Sequence, residues 1–367
     1  MQNEQITNKE GIYIVIVFII GSSLILGIGG ETKNDAWLAG VAGLFMVSPM
    51  ILMYSRILSL FQGRNLFDIL EITFGKIFGR LIAIIYIWYA FHLGALVLRN
   101  FGEFLNTVAM PETPMAVTIF GLGLLGIIAS RLGIEVLVRT TAFFFPILIF
   151  ILIIVQILSL NQLDFNYLKP VLGNGLLPVI NGGFATFSFP FAETVLFMGV
   201  FDALKSKKSI LKVYVWGVLI ASFIIVVITI RNITVLGSLR ESFYFPSYEA
   251  VSKINIGDFI QRIEVTVSIV FIFGAFVKSS ICLLVACRGL GRFFNLKSYR
   301  NIVIQTGILM SLFACFVYNS TMQMSFWAFK VYQYYAFPMQ VILPVIIWIA
   351  CEIKNKSLKR RKTVLQN

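Results

Sequence analysis

Three ionisable side chains stand in the middle of membrane-length apolar runs: Glu193, Lys278 and His92. A carboxylate at bilayer depth costs about 2.5 kcal/mol or more, so it faces a cavity or a partner. Glu193 follows Phe187, Ser188, Phe189, Pro190, Phe191 and Ala192. Pro190 removes a helical hydrogen bond and clashes with the preceding turn. Irregular backbone at that depth is tolerated only where protein or a water-filled cavity covers it. Residues 187–193 are therefore expected to form an interrupted helix lining a binding site, a device of secondary transporters. Lys278 lies about 15 Å along a helix from Arg288 at the edge of its run. Pairing with Glu193 would offset the burial of both charges. Such a pair is either static, or it senses a charged ligand with the ammonium filling a cation position. His92 is the only histidine. An unperturbed pKa of about 6.5 suits it to proton coupling, although a lone histidine on an apolar face also serves as a core group. All three are expected to face one central cavity.

An amino acid fits these parts. Its carboxylate suits the free N–H groups of a broken helix end, whose dipole favours anions. Its ammonium suits carbonyls freed by Pro190, or Glu193 itself. Phe187, Phe189 and Phe191 would shape a side-chain pocket, though aromatics at this density also suit ordinary span packing.

The elements that must position these residues are membrane helices. The 367 residues are 58% hydrophobic and only 13% charged, with a mean hydropathy of +0.89, too apolar for a soluble chain of this length. Ten spans are predicted, roughly 11–30, 36–55, 78–102, 114–130, 135–159, 183–202, 211–235, 262–286, 299–318 and 331–352, each near the length a bilayer demands. The first span is long enough to cross, and no cleavable signal peptide is read ahead of it. The net charge of +13 gathers in alternate loops and in the tail. That argues for topology and anionic-lipid attraction rather than nucleic-acid binding, and places both termini in the cytoplasm. Two longer outer loops, 161–182 and 237–261, act as covers over a site or as simple linkers; the second carries Pro246 and a possible surface helix.

Ten spans divide into five plus five of opposite orientation. The expected organisation is one all-α domain over 1–367: a cytoplasmic start (1–10), a first repeat (11–159), a second repeat (183–352) and a basic tail (353–367). An inverted repeat predicts breaks in spans one and six. Span one offers Gly21, Ser22 and Ser23 near its centre and Gly27, Gly29 and Gly30 near its outer end. Glycine weakens a helix, and serine satisfies freed backbone groups. A leucine-transporter-like fold with interrupted helices 1 and 6 follows, while close helix packing is the other account of Gly21.

Arg99 and Glu103, four apart, can pair along a helix; with Arg131, Glu135, Arg139 and Arg231 they are expected to be interfacial anchors. Gly121, Gly123 and Gly126 satisfy a dinucleotide spacing inside an apolar span with no preceding strand, so that reading is discarded. Cys282, Cys287, Cys315 and Cys351 form no CxxC pair and are expected to be reduced. No metal site, cofactor site or catalytic constellation is expected.

Five short elements in order resemble one family. They are Asn34-Asp35-Ala36-Trp37-Leu38; Leu98-Arg99-Asn-Phe-Gly-Glu103-Phe104 with Pro111-Glu-Thr-Pro114; Pro190-Phe191-Ala192-Glu193; Gly257-Asp258-Phe259-Ile-Gln-Arg262-Ile263-Glu264; and Phe276-Val277-Lys278. Together they are similar to the B-subunit of the spore germinant receptor, within the amino acid–polyamine–organocation superfamily. Ala192 replaces the glycine common in the third element. The resemblance implies a germinant-sensing subunit of the spore inner membrane, partnered by A- and C-subunits and recognising small nutrients, typically amino acids. The alternative is a proton- or ion-coupled amino acid transporter using Glu193, His92 and Lys278. A scaffold subunit leaves midplane Glu193 without a purpose, and an enzyme is not expected.

Overall fold

The computed structural model describes residues 4–30, 32–206, 209–254 and 263–366. Lys207, Lys208 and residues 255–262, with most of the Gly257–Glu264 element, lie outside them. Eight of the described helices are long and apolar enough to cross a membrane, and the two remaining spans fall on α1 (Asn8–Leu26) and on a broken segment around Pro190. The described chain is otherwise helix and short turns.

Thr7 starts α1 with a capping box: its hydroxyl accepts from the Glu10 N–H while the Glu10 carboxylate accepts from the Thr7 N–H. Beyond that charged start the helix is apolar all round, which predicts burial on every side. Ile14 to Ile20 are each at most 1% exposed. Around α1 pack α7 (Ile210–Leu236), α9 (Glu264–Phe293) and α5 (Ile134–Leu158). The longest helix, α3 (Leu66–Val108), kinks at Gly75, where φ is 78°, and lies along α9. The other early helices are α2 (Ala36–Leu60) and α4 (Met115–Leu132); α4 packs with α10 (Val303–Phe316) at the periphery.

Span one is not broken at Gly21. Helical geometry continues through Gly21, Ser22 and Ser23, and Ser23 Oγ donates to the Ile19 carbonyl one turn back. The reason is packing: a Cβ at Gly274 would fall 2.3 Å from Gly21 Cα, so the two glycines let α1 and α9 touch backbone to backbone. Non-helical geometry begins later, at Gly27, Gly29 and Gly30, with φ of 77°, 90° and 53°. Those left-handed values are ones glycine adopts at little cost. Gly274→Ala must push the helices apart and is expected to cost about 1–3 kcal/mol or more. A fall in midpoint on thermal unfolding in detergent would register it.

Span six is interrupted as expected. An α-helix, α6 (Leu176–Thr186), gives way to a wide turn over Phe187–Phe191, with Phe189 extended at φ −129° and ψ 115°; a tight 3₁₀ turn follows over Ala192–Gly199. The possible surface helix after Phe245 is α8 (Pro246–Ser252). The last span starts earlier than 331: α11 (Thr321–Phe326) and α12 (Tyr332–Phe337) are joined by a wide turn, Trp327–Val331. A second wide turn leads to α13 (Leu343–Gln366), which carries the helix into the basic tail. All four cysteines are free thiols.

On the face that carries the N-terminus, Arg288 donates to Asp202 Oδ1 and Glu4 Oε2, both at 2.7 Å, while Ile6 and Ala203 share a backbone bond of 3.0 Å. These contacts tie the chain start to the end of the broken segment.

Candidate functional site

The break in span six places Glu193 in the protein's centre, fully buried. Lys278, also fully buried, donates to Glu193 Oε2. The ammonium lies 5.1 Å from the ring centroids of both Phe18 and Phe189, within reach of the attractive ring faces. The other carboxylate oxygen, Oε1, accepts from Tyr332 Oη at 2.7 Å. Tyr332 therefore has no proton left to give Tyr89, so the 3.0 Å contact between their hydroxyls runs from Tyr89 to Tyr332. Gln340 Nε2 donates to Tyr89 Oη and to the Ser188 carbonyl, each at 2.9 Å, and its Oε1 accepts from Ser188 Oγ at 2.9 Å. The Ser188 carbonyl at the helix break is thereby satisfied by Gln340. A continuous chain of hydrogen bonds runs from the break through α3 and α12 to the wide turn Pro338–Ile342 that precedes α13. Such a network holds its members in one arrangement when every member is satisfied.

Beside Glu193 lies a small cavity of about 20 Å³, bounded by Ser22 and Leu26 of α1, Asn100 of α3, Phe189, Trp327 and Tyr332. That is room for about one water. Three of its lining residues carry a buried polar atom with no hydrogen-bond partner in the protein: Ser22 Oγ, Asn100 Oδ1 and Trp327 Nε1. Native proteins pair nearly all such groups, and an unpaired one requires an explanation. Here three residues, each with a buried polar atom lacking a protein partner, border one space next to an ion pair.

The predicted residues separate into groups. Ser22, Phe189 and Glu193 line the cavity, and Lys278 reaches it through Glu193. Pro190 and Ala192 shape the turn. Phe191 is wholly buried and Phe187 stacks on Phe184 at 6.0 Å. Gly21 contacts α9 and Ser23 is bound within its own helix. His92 does not join the Glu193 cluster: it stacks on Trp88 at 5.4 Å and meets Phe313, Trp327 and Tyr335 edge to face. Its neighbours are these rings, and it is not among the residues lining the cavity beside Glu193.

Tyr89, Asn100, Trp327, Tyr332 and Gln340 were not legible as site residues. Polar aromatic and amide side chains are frequent near span ends, and only the folded α11–α13 region brings the late ones to Glu193. The expected interfacial anchors also differ. Arg99 pairs with Glu103 at 2.8 Å as its spacing suggests, but both are buried, and Thr321 Oγ1 donates to Glu103 Oε2 at 2.7 Å. Arg231 is only 4% exposed and donates to Asn232 Oδ1 at 2.7 Å, so it is an internal tie and not an anchor. Among the described residues, no three His, Cys, Asp or Glu side chains gather to hold a metal ion.

A family described as "Spore germination protein" matches residues 5–323. Spore germination protein KB of Bacillus subtilis (strain 168) is 28% identical over 99% of this chain and 98% of its own length. Spore germination protein A2 of the same organism is 27% identical over 95% of each chain. Among solved structures, Mhp1, a nucleobase-cation-symport-1 family transporter in a closed conformation with bromovinylhydantoin bound, superposes with a TM-score of 0.64 at 11% identity, covering 97% of this chain and 91% of its own. A manganese transporter mutant from Eremococcus coleocola gives 0.59 at 11% identity, covering 95% and 85%. At such identities the likeness establishes the fold alone, and that fold is the leucine-transporter-like arrangement of ten spans.

Proposed function

The chain belongs to the spore germination protein family, and on that premise we propose that it is the B-type, nutrient-sensing membrane subunit of a germinant receptor. It binds a small germinant, an amino acid, in the cavity beside Glu193. The observation that carries this reading is that Ser22, Asn100 and Trp327, each with a buried polar atom lacking a protein partner, line that cavity beside Glu193. Trp327 N–H offers a donor to a carboxylate; Glu193 and the Asn100 oxygen offer acceptors to an ammonium. Lys278 and Tyr332 hold the Glu193 carboxylate in place meanwhile.

A water-sized cavity does not admit an amino acid, so binding favours a state in which α11–α12 and the end of α1 have moved apart. That differential affinity is what a signal requires. The face tied by Arg288, Asp202 and Glu4 is then the cytoplasmic face, both termini lie on it, and the membrane is the spore inner membrane. A- and C-subunits complete the receptor. Spores carrying Ser22→Ala or Asn100→Leu should need at least about tenfold more amino acid for half-maximal germination, at unchanged receptor abundance. An unchanged dose-response in both would rule the cavity out as the sensing site.

A coupled amino acid transporter is the second reading, favoured by the transporter fold of the structural neighbours. Glu193 and Lys278 would then carry coupling. Uptake of labelled amino acid into proteoliposomes under an imposed pH gradient separates the two readings: the sensor binds without accumulating.

A further inference from the structure

Opposite the N-terminal face, the end of α1, the turn after α7 and α11 enclose a second cavity of about 700 Å³, a size typical of small-ligand sites. Leu26 borders both this cavity and the small one beside Glu193. The turn over Trp327–Val331 likewise divides them: Phe329 and Lys330 face the large cavity while Trp327 and Ala328 face the small one. The large cavity is thus a vestibule directly above the proposed sensing site, closed from it by one leucine and one turn of backbone.

Its lining carries Lys33, Arg240 and Lys330 against a single acid, Glu241, among the described residues. Arg240 is 9% exposed. Its Nη1 donates to the Lys33 carbonyl at 3.1 Å and its Nη2 to the Ile28 carbonyl at 2.9 Å, while Nε has no hydrogen-bond partner. A guanidinium presents five donors in a fixed fork, and its preferred acceptor is a carboxylate bound by two parallel bonds. Here it meets two neutral carbonyls and keeps its Nε edge unused. Its bonds also hold the left-handed turn at Gly27, Gly29 and Gly30 that ends α1.

We propose that this vestibule is a second binding site, distinct from the cavity beside Glu193, that takes the carboxylate of a small organic acid or amino acid on Arg240, with Lys33 adding charge at the rim and Phe329 meeting the apolar body. A carboxylate there competes with the Ile28 and Lys33 carbonyls for the guanidinium. Its arrival loosens the turn beyond α1 and with it Leu26, the partition to the inner cavity. Capture and opening are then one event.

The test uses purified full-length protein and three probes of equal size that differ only in the head group: propionate, propionamide and propylamine, at matched ionic strength. Propionate should raise the thermal midpoint in a saturable way; propionamide and propylamine should not. Arg240→Gln and Lys33→Glu should each weaken the propionate response at least tenfold. Lys33→Glu leaves the clamped backbone carbonyl in place, so it stays informative if Arg240→Gln fails to fold. Charge-neutral replacement of the central pair, Glu193→Gln with Lys278→Met, should leave the propionate response intact, so a failure of the sensing site does not imitate a failure here. Equal shifts with propionamide, no shift with propionate, or a propionate shift unchanged by Lys33→Glu would overturn the proposal.

Discussion

Lys278→Met is expected to destabilise the protein by about 3–5 kcal/mol, because it leaves the Glu193 carboxylate buried with its principal partner gone. Both side chains are wholly inaccessible to bulk solvent, and the cavity beside Glu193 has room for about one water, too little to replace a cation. Tyr332 remains as one donor to Oε1, which moderates the loss without replacing a cation. Glu193→Gln should be harmful for the converse reason, leaving a buried ammonium with a neutral amide and the faces of Phe18 and Phe189 in place of its counter-charge. The double substitution Glu193→Gln, Lys278→Met should recover most of the lost stability, since replacing a buried pair by neutral groups of similar volume is often neutral or better. Unfolding midpoints of the four proteins complete a double-mutant cycle. Strict additivity of the two single effects would show that the ion pair does not hold the core.

Removing the partnerless atoms should have the opposite signature. Asn100→Leu and Trp327→Phe each delete a buried polar group that has no protein partner. Such a group carries a desolvation penalty of about 1–3 kcal/mol, so its removal should leave ligand-free stability unchanged or raised. The same substitutions should weaken amino acid binding by about tenfold or more, because each lost hydrogen bond to a charged ligand group is worth about 1.5–3 kcal/mol. A residue kept only for packing would lose stability and leave binding alone. Equilibrium binding of labelled amino acid, set beside the unfolding midpoint of each variant, distinguishes the two cases.

Much of the architecture was legible in the chain because the bilayer leaves few choices. Apolar runs of membrane length, separated by loops with alternating basic content, specify spans. Pro190 and Glu193 together in one such run announce an interruption: proline alone does not break a span, as Pro49 in α2 and Pro146 in α5 show, but a carboxylate at that depth needs a covered site. Glycine was the misleading signal. At Gly21 it marks a close helix crossing, and at Gly27, Gly29 and Gly30 it marks left-handed backbone; composition cannot tell these uses apart. The Glu193–Lys278 pair was legible because two buried opposite charges must find each other. His92 was placed wrongly beside them because a residue count along a span gives depth but not rotation. Tyr332 and Gln340 stayed hidden for a different reason. They reach the site through two wide turns, Trp327–Val331 and Pro338–Ile342, which shift the facing of the last span by an amount that regular helical periodicity does not provide.

The most direct test of the central claim is a thermal-shift titration of the purified protein against a panel of amino acids, run beside the charge-neutral double variant. A ligand that binds only the folded protein raises its apparent stability by RT ln(1 + [L]/Kd). The expected result is a saturable rise with one or two amino acids for the wild type that exceeds the rise propionate gives, and loss of that excess in the Glu193→Gln, Lys278→Met protein, which remains folded. An equal rise in both proteins would contradict the account, because the ligand would then be held somewhere other than the cavity that Glu193 and Lys278 build.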